Sequence, residues 1–290
     1  MKLDALSLPG GGLAMVAVDQ REALRGMYAL KRGAPVENQT LMDFKVLVAQ
    51  VLSPAATGLL VDQEFGLRQI VDAKALTPNC GLIAAADLLI GPAGGAATDT
   101  AIDPEVDAAE MKRLGAVALK LLILWRSDED PTLRAEMARK FISLCQGHGL
   151  ISLVEIIVKP PTNGEGFDRE IDIVRAATEA SSWGCDVYKA EVPFGGKASD
   201  EEMTRVYGQM NTAIKGVWVV LSNGVATADF ERSVQLACKA GASGFLAGRA
   251  IWADVVGDEN ERESLEKISK PRLERLAYVV STNIIKVRSV

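Results

Sequence analysis

Short apolar runs alternate along the chain with longer stretches in which apolar residues recur at helical spacing. The short runs predict buried strands, and the spacing of residues such as Leu41, Phe44, Val48 and Val51 predicts helices between them. The predicted strands are Leu13–Asp19, Gly58–Asp62, Leu82–Asp87, Ala116–Leu124, Ile151–Val158, Asp186–Pro193, Val217–Leu221 and Gly244–Ala247.

The predicted helices cover Arg21–Lys31, Leu41–Leu52, Leu67–Ala75, Glu105–Leu114, Pro131–Gln146, Arg169–Trp183, Asp200–Ile214 and Thr227–Ala240. The remainder of the chain is predicted to be helical, with Pro271 near the start of the last helix. Two stretches, Gly91–Pro104 and Pro160–Phe167, are predicted loops, and loops of this length in a compact domain are often functional.

About eight strand–helix units without a break in composition predict an α/β fold, a single-domain (β/α)8 TIM barrel over residues 1–290. A doubly wound sheet is the alternative, but it would need a phosphate loop after the first strand. The sequence carries no GxGxxG or Walker pattern there, which favours the barrel.

Composition excludes several classes of function. The net charge of -6 gives no nucleic-acid footprint. The only histidine, His148, lies between glycines and is predicted to be a helix end, which disfavours a Ser-His-Asp triad or a histidine-rich zinc site. The four cysteines form no CxxC pair and are expected to be buried thiols. With no apolar leader and no membrane-length apolar run, we expect a cytoplasmic protein.

Lys189 stands inside the predicted strand DVYKAEVP. A lysine buried between helices would be disfavoured in its charged form, and a neutral amine is the nucleophile that Schiff-base chemistry on a ketone needs. The alternative is a lysine that extends outward between the helices to water, and this stretch alone favours that alternative.

Polar residues in other strands favour a buried, functional Lys189 over a lysine that extends outward to water. Lys120 and Glu155 also lie within apolar strands, where an unpartnered polar group costs free energy. Three such residues on successive strands favour a common site, and barrel enzymes place their sites at the carboxyl ends of the strands. Those ends are polar here: Asp19-Gln20-Arg21, Asp62-Gln63, Asp87, Arg126 and Glu191.

The last two strands end in LSNG (Leu221–Gly224) and AGR (Ala247–Arg249). Loops in these positions commonly bind phosphate in this fold. Glycines let backbone N–H groups approach a phosphate, and an arginine offers two parallel hydrogen bonds. Ordinary turns at strand ends are the alternative.

The motifs AVDQRE (Ala17–Glu22), LVDQ (Leu60–Gln63), ALKLLILWRSDED (Ala118–Asp130), DVYKAEVP and GASGFLAGRAIW (Gly241–Trp252) resemble the class I sulfofructosephosphate aldolases of sulfoquinovose degradation. They also resemble, more distantly, the class I tagatose-1,6-bisphosphate aldolases. The resemblance covers nearly the whole chain, and the WRSDED ending favours the sulfosugar branch.

The resemblance implies that Lys189 is the Schiff-base lysine, that Glu155 and Asp19 transfer protons, and that Lys120 lies beside them. It implies a substrate phosphate on Ser222, Gly224, Gly248 and Arg249, and a sulfonate near Gln20 and Arg25. The chain departs from the family pattern at Asn223, where serine is expected, and at Phe194-Gly195-Gly196.

The expected reaction is cleavage of 6-deoxy-6-sulfofructose 1-phosphate into dihydroxyacetone phosphate and 3-sulfolactaldehyde, with no metal or organic cofactor. The expected partner is this small phosphorylated sulfosugar, and we expect a homo-oligomer. The nearest alternative is a tagatose- or fructose-bisphosphate aldolase. More distant alternatives are a sugar-phosphate isomerase or epimerase and a non-catalytic metabolite-binding barrel.

Overall fold

The computed structural model describes residues 3–92 and 97–285. Its strands are β1 (Leu13–Ala17), β2 (Gly58–Val61), β3 (Gly81–Ala85), β4 (Asp87–Ile90), β5 (Asp99–Ile102), β6 (Ala116–Trp125), β7 (Ile151–Val158), β8 (Val187–Glu191), β9 (Val217–Leu221) and β10 (Gly244–Ala247). Eight of these strands close a parallel barrel in the order β1-β10-β9-β8-β7-β6-β3-β2. The predicted single-domain TIM barrel is therefore confirmed.

Helices surround the barrel and connect its strands. In the described ranges they are α1 (Glu22–Arg32), α2 (Asn38–Leu52), α3 (Arg68–Asp72), α4 (Ala108–Arg113), α5 (Pro131–Gly147), α6 (Arg169–Ala180), α7 (Asp200–Ala213), α8 (Thr227–Ala240), α9 (Arg249–Trp252), α10 (Glu261–Ser264) and α11 (Lys270–Asn283). None of them is long and apolar enough to cross a membrane.

Helix ends follow from local sequence. Ser199 and Glu202 form a reciprocal capping box at the start of α7, and Asp130 accepts from the Thr132 N–H before α5. His148 follows α5, and its Nδ1 lies 3.0 Å from the Leu144 carbonyl oxygen. The predicted helix end at His148 is thus confirmed.

The barrel strands contribute side chains to two separate apolar clusters, one inside the barrel and one under the helices, because successive side chains point to opposite faces. Positions such as Met15, Ala118, Leu153 and Val187 fill the barrel interior. Their neighbours in sequence pack outward under the helices. These interior residues form an apolar plug in the amino-terminal part of the barrel. Interior positions nearer the carboxyl ends of the strands are therefore open to polar side chains.

Closure of the barrel depends on a glycine. β1 pairs with β10, with Leu13 opposite Gly244. A Cβ atom on Gly244 would stand 1.9 Å from the Leu13 carbonyl oxygen, and the residue has φ +142°. No larger residue fits this closing contact without moving the backbone.

The predicted loop Gly91–Pro104 is only partly a loop. Residues Asp99–Ile102 form β5, which pairs antiparallel with β4, and Asp87 lies opposite Ile102. The Thr100 hydroxyl accepts from the Leu124 N–H at 3.4 Å, which ties this hairpin to β6. Residues 93–96 of the predicted loop lie outside the described ranges.

Candidate active site

The lysines and acids singled out from the sequence lie on the interior face of the barrel. Asp19 follows Ala17, Lys120 follows Ala118, Glu155 follows Leu153 and Lys189 follows Val187, each by one step of the two-residue period. Asp87 follows Ala85 in the same way. The structure thus places all five groups directly above the apolar plug, at the carboxyl end of the barrel.

Lys189 is 4% exposed, and its Nζ donates to Glu155 Oε2 at 2.9 Å. The contact follows from the strand register, because Glu155 on β7 lies directly beside Lys189 on β8. The outward orientation that the lysine strand alone favoured is therefore wrong. The amine points into the barrel, since the alternating pattern of its strand leaves it on the interior side.

Lys120 forms the centre of the cluster. Its Nζ lies 2.9 Å from an oxygen of Asp19, 2.9 Å from Asp87 Oδ1 and 3.2 Å from Glu155 Oε2. Asp87 Oδ1 also accepts from the Leu122 N–H at 3.2 Å. One buried ammonium thus contacts two carboxylates just after β1 and β3 and a third within β7.

The charges in this cluster shift the pKa values in different directions. Burial raises the pKa of Asp19, but the ammonium groups of Lys120 and Lys189 outweigh it and hold the pKa well below its ordinary value. The pKa of Glu155 is lowered by the same balance between burial and these two lysines. Burial dominates at Asp87 and raises its pKa. Asp19 and Glu155 are therefore held as carboxylates, whereas Asp87 is the most readily protonated of the three.

Lys120 is itself buried, which lowers the pKa of its ammonium, but the surrounding carboxylates reverse the effect and raise it well above the ordinary value. Lys120 is thus a fixed positive charge. It shares Glu155 Oε2 with Lys189, so a carboxylate oxygen contacts both amines. The two lysines therefore have a common anionic neighbour.

A cavity of about 470 Å³ opens above this cluster. Ser222, Asn223, Gly248 and Arg249 line it where β9 and β10 end, next to β8. Arg21 also lines it and donates to the Asp87 carbonyl oxygen at 3.2 Å, on the β3 side. The cavity therefore has one arginine on each side of the lysine and acid cluster.

Two predicted residues lie outside the lining. Arg25 is on α1, where it donates to the Val36 carbonyl at 2.7 Å and to Asn38 at 2.7 Å. It holds the connection between α1 and α2, whereas Arg21 and Gln20 line the cavity. Gly224 has φ +86° and forms the turn after β9.

Sequence reasoning left Arg21 and Asp87 out of the site. The available signal was their place at polar strand ends, directly after β1 and β3. Arg21 Nε and Gln20 Oε1 are buried and have no hydrogen-bond partner in residues 3–92 and 97–285. Buried polar groups of this kind are usually satisfied, which makes both side chains candidates for ligand contact.

Arg249 is connected to the lysine strand through two polar side chains. Glu191 is 3% exposed and accepts from the Val158 N–H at 2.8 Å and from Arg169 at 2.7 Å. It also accepts from Asn223 Nδ2 at 2.9 Å, and Asn223 Oδ1 accepts from Arg249 at 3.4 Å. Asn223, a departure from the family pattern, therefore bridges the end of β8 and Arg249.

Metal ligation is not supported by the side chains of the site. Within the ranges that the structure describes, no group of three or more His, Cys, Asp and Glu residues could hold a metal ion. The clustered carboxylates instead surround the Lys120 ammonium. The cysteines lie elsewhere, and burial raises the pKa of the Cys80 and Cys145 thiols to about 12.

Curated relatives match nearly the full chain. Tagatose 1,6-diphosphate aldolase 1 of Enterococcus faecalis is 29% identical over 96% of this chain and 93% of its own length. Tagatose 1,6-diphosphate aldolase 2 of Streptococcus agalactiae is 28% identical, over 96% and 94%. Among solved structures, an archaeal fructose 1,6-bisphosphate aldolase superposes with a TM-score of 0.62 at 14% identity, covering 97% of this chain and 98% of that chain. The latter likeness is one of fold.

The model of the DeoC/LacD family aldolases matches residues 13–254, from the first barrel strand to beyond the last. This span includes the buried lysines, the acids and both arginines of the cavity. The chain belongs to the DeoC/LacD family of aldolases.

Proposed function

We propose that this protein is a class I aldolase in which Lys189 forms a Schiff base with C2 of a ketose 1-phosphate. The observation that carries the proposal is the buried Lys189 amine, which lies 2.9 Å from Glu155 in the floor of the cavity. Ser222 and Arg249 line the same cavity beside it, at the ends of β9 and β10. A phosphate held there would leave C2, one carbon away, close to the amine.

In the proposed reaction Glu155 accepts a proton from Lys189, the neutral amine attacks C2, and loss of water from the carbinolamine gives an iminium ion. A base removes the C4 hydroxyl proton, the C3–C4 bond breaks, and its electron pair moves into the iminium to give an enamine. The aldehyde leaves. Protonation at C3 and hydrolysis of the imine then release dihydroxyacetone phosphate and restore the free amine.

Glu155 and Asp19 carry the proton transfers in this scheme. Glu155 contacts Lys189 and is assigned to the steps at the imine. Asp19 lines the cavity, lies 2.9 Å from Lys120, and is assigned to the C4 hydroxyl. The positive charge of Lys120, fixed between them, stabilises negative charge that develops on substrate oxygens.

For the substrate we propose 6-deoxy-6-sulfofructose 1-phosphate. A ketose with an anionic group at each end matches a cavity with Arg249 on one side and Arg21 on the other. The resemblance through WRSDED supports the sulfosugar. None of its residues lines the cavity: Arg126 bonds to Glu129 and to the Thr98 carbonyl, and Asp130 caps α5. The curated relatives support the alternative, a tagatose- or fructose-bisphosphate aldolase.

Comparison of cleavage rates separates these substrates. We expect kcat/KM for the sulfosugar phosphate to exceed that for either bisphosphate by at least about 10-fold, because one distal arginine suits a singly charged sulfonate better than a phosphate of higher charge. The assay couples retro-aldol cleavage to detection of dihydroxyacetone phosphate. Faster cleavage of a bisphosphate would establish the alternative, and interconversion of sugars without cleavage would indicate an isomerase or epimerase.

Replacement of Arg249 tests the phosphate assignment. We expect Arg249→Ala to lower kcat/KM for the phosphorylated ketose by about 10- to 100-fold, the effect of losing charge-assisted hydrogen bonds. The same variant should act on the unphosphorylated ketose within about 3-fold of wild type, since that substrate has no group for Arg249 to bind. Equal losses with both sugars would contradict the assignment.

A further inference from the structure

Lys45 on α2 is buried with 0% exposure beneath the loop that follows β1. Its Nζ donates to the Val18 carbonyl oxygen at 2.9 Å and to the Gln20 carbonyl oxygen at 2.8 Å, and it pairs with the Asp62 carboxylate. Lys45 is not part of the cavity lining. All three donors of its ammonium have acceptors, so this lysine is not available for imine chemistry.

The two carbonyl groups belong to the residues on either side of Asp19. The Lys45 amine therefore fixes the peptide unit before Asp19 and the one between Gln20 and Arg21, on either side of the residue that contacts Lys120 at 2.9 Å. Asp62 is fixed in turn, because its other oxygen accepts from the Phe65 N–H at 2.7 Å. The chain of contacts connects the loop after β1 to the end of β2 through a side chain of α2.

We infer that Lys45 is a positioning residue that holds the Asp19 carboxylate in its catalytic orientation. The inference rests on the proposed function, in which Asp19 accepts the C4 hydroxyl proton. The hydrogen bonds to the Val18 and Gln20 carbonyls join Lys45 to the backbone on both sides of Asp19, which the ion pair with Asp62 alone would not do. Displacement of a reacting group by about 1 Å can cost about 10²-fold in rate.

Two variants isolate this role. In Asp62→Asn the amide oxygen can still accept from the Phe65 N–H, and the Lys45 amine can still donate to both carbonyls, even without its proton. Burial lowers the pKa of Lys45, which allows that neutral form. The double variant Lys45→Met/Asp62→Asn differs from it only at Lys45 and leaves no unpaired buried charge. Comparison of the two variants therefore measures the hydrogen bonds to the Asp19 loop.

For cleavage of the ketose 1-phosphate, we expect the double variant to have a kcat about 10- to 100-fold below that of Asp62→Asn. Its KM should lie within about 3-fold of the KM of Asp62→Asn. Borohydride trapping of dihydroxyacetone phosphate on Lys189 should be equal in the two variants, because that step needs no C4 chemistry. Equal kcat values would overturn the inference, as would a parallel loss of trapping and cleavage. If the wild-type protein formed no adduct, the result would contradict the proposed Schiff-base function and therefore also the role inferred for Lys45.

Discussion

Replacement of Lys189 by methionine is expected to lower kcat for ketose cleavage by at least about 10⁴-fold, as when other enzymes lose their nucleophile. Methionine is similar in length and has no amine, so no iminium ion can form and the electron pair of the C3–C4 bond has no acceptor. The fold should persist, because Glu155 keeps its contact with Lys120 at 3.2 Å. Cleavage kinetics and circular dichroism measure the two effects.

Mass spectrometry after borohydride treatment with dihydroxyacetone phosphate identifies the lysine directly. Wild type should gain one adduct on the peptide that contains Lys189, and Lys189→Met should gain none. The exposed Lys215 supplies a matched control, since Lys215→Met should form the adduct normally. An adduct that persists in Lys189→Met, or that maps to Lys120, would contradict the assignment.

Replacement of Lys120 by methionine is expected to have the second large effect. Asp19, Asp87 and Glu155 would lose their common cation, and breaking a buried ion pair by removing one partner costs about 3–5 kcal/mol of stability. We also expect kcat to fall by about 10²- to 10³-fold, because the positions and charges of both proton-transfer groups depend on this ammonium.

The pH dependence of this destabilisation has a definite sign. In wild type the pKa values of Asp19 and Glu155 are lowered by Lys120 and Lys189, so their stabilising effect is complete above their unfolded pKa values of about 3.9 and 4.3 and is lost as the pH falls further. Without Lys120 the carboxylates repel each other and their pKa values rise. Protonation therefore removes this repulsion in the variant at a higher pH than that at which the wild-type carboxylates are protonated.

The difference in unfolding free energy between wild type and Lys120→Met should therefore shrink as the pH is lowered from about 8 to about 5. Urea unfolding at a series of pH values measures it, with Lys120→Arg as the variant that keeps the charge. A difference that stays constant or grows on acidification would mean that repulsion among the three carboxylates is not the cause.

Much of the site followed from the sequence because strand periodicity determines which side chains share the barrel interior. Lys120, Glu155 and Lys189 stood at interior positions of neighbouring strands, and the register brings them into contact. The role of Asp87 could not be read in this way. Its contact with Lys120 depends on β3 lying next to β6, across the intervening hairpin, and this order is a property of the closed barrel.

The sequence also could not decide which arginine after β1 lines the cavity. Arg21 has a non-helical backbone, φ -109° and ψ -93°, just before α1, and its side chain lines the cavity. Arg25 lies one helical turn later and bonds to Val36 and Asn38 instead. Strand β5 was missed because Asp99–Ile102 has no continuous apolar run of the kind that predicted the other strands.

The contact between Leu13 and Gly244 joins the first and last strands of the barrel, so the barrel cannot close during translation until the last strand has been made. Asp19 lies just after the first strand of the barrel and Arg249 just after the last, so these two residues of the cavity lining are about as far apart in the sequence as the barrel allows. A nascent chain on the ribosome has no complete pocket until its final strand has emerged. A ligand of this cavity therefore cannot stabilise the early stages of co-translational folding. Protection of the nascent chain against proteases by the ligand should begin only with chains that extend past Arg249.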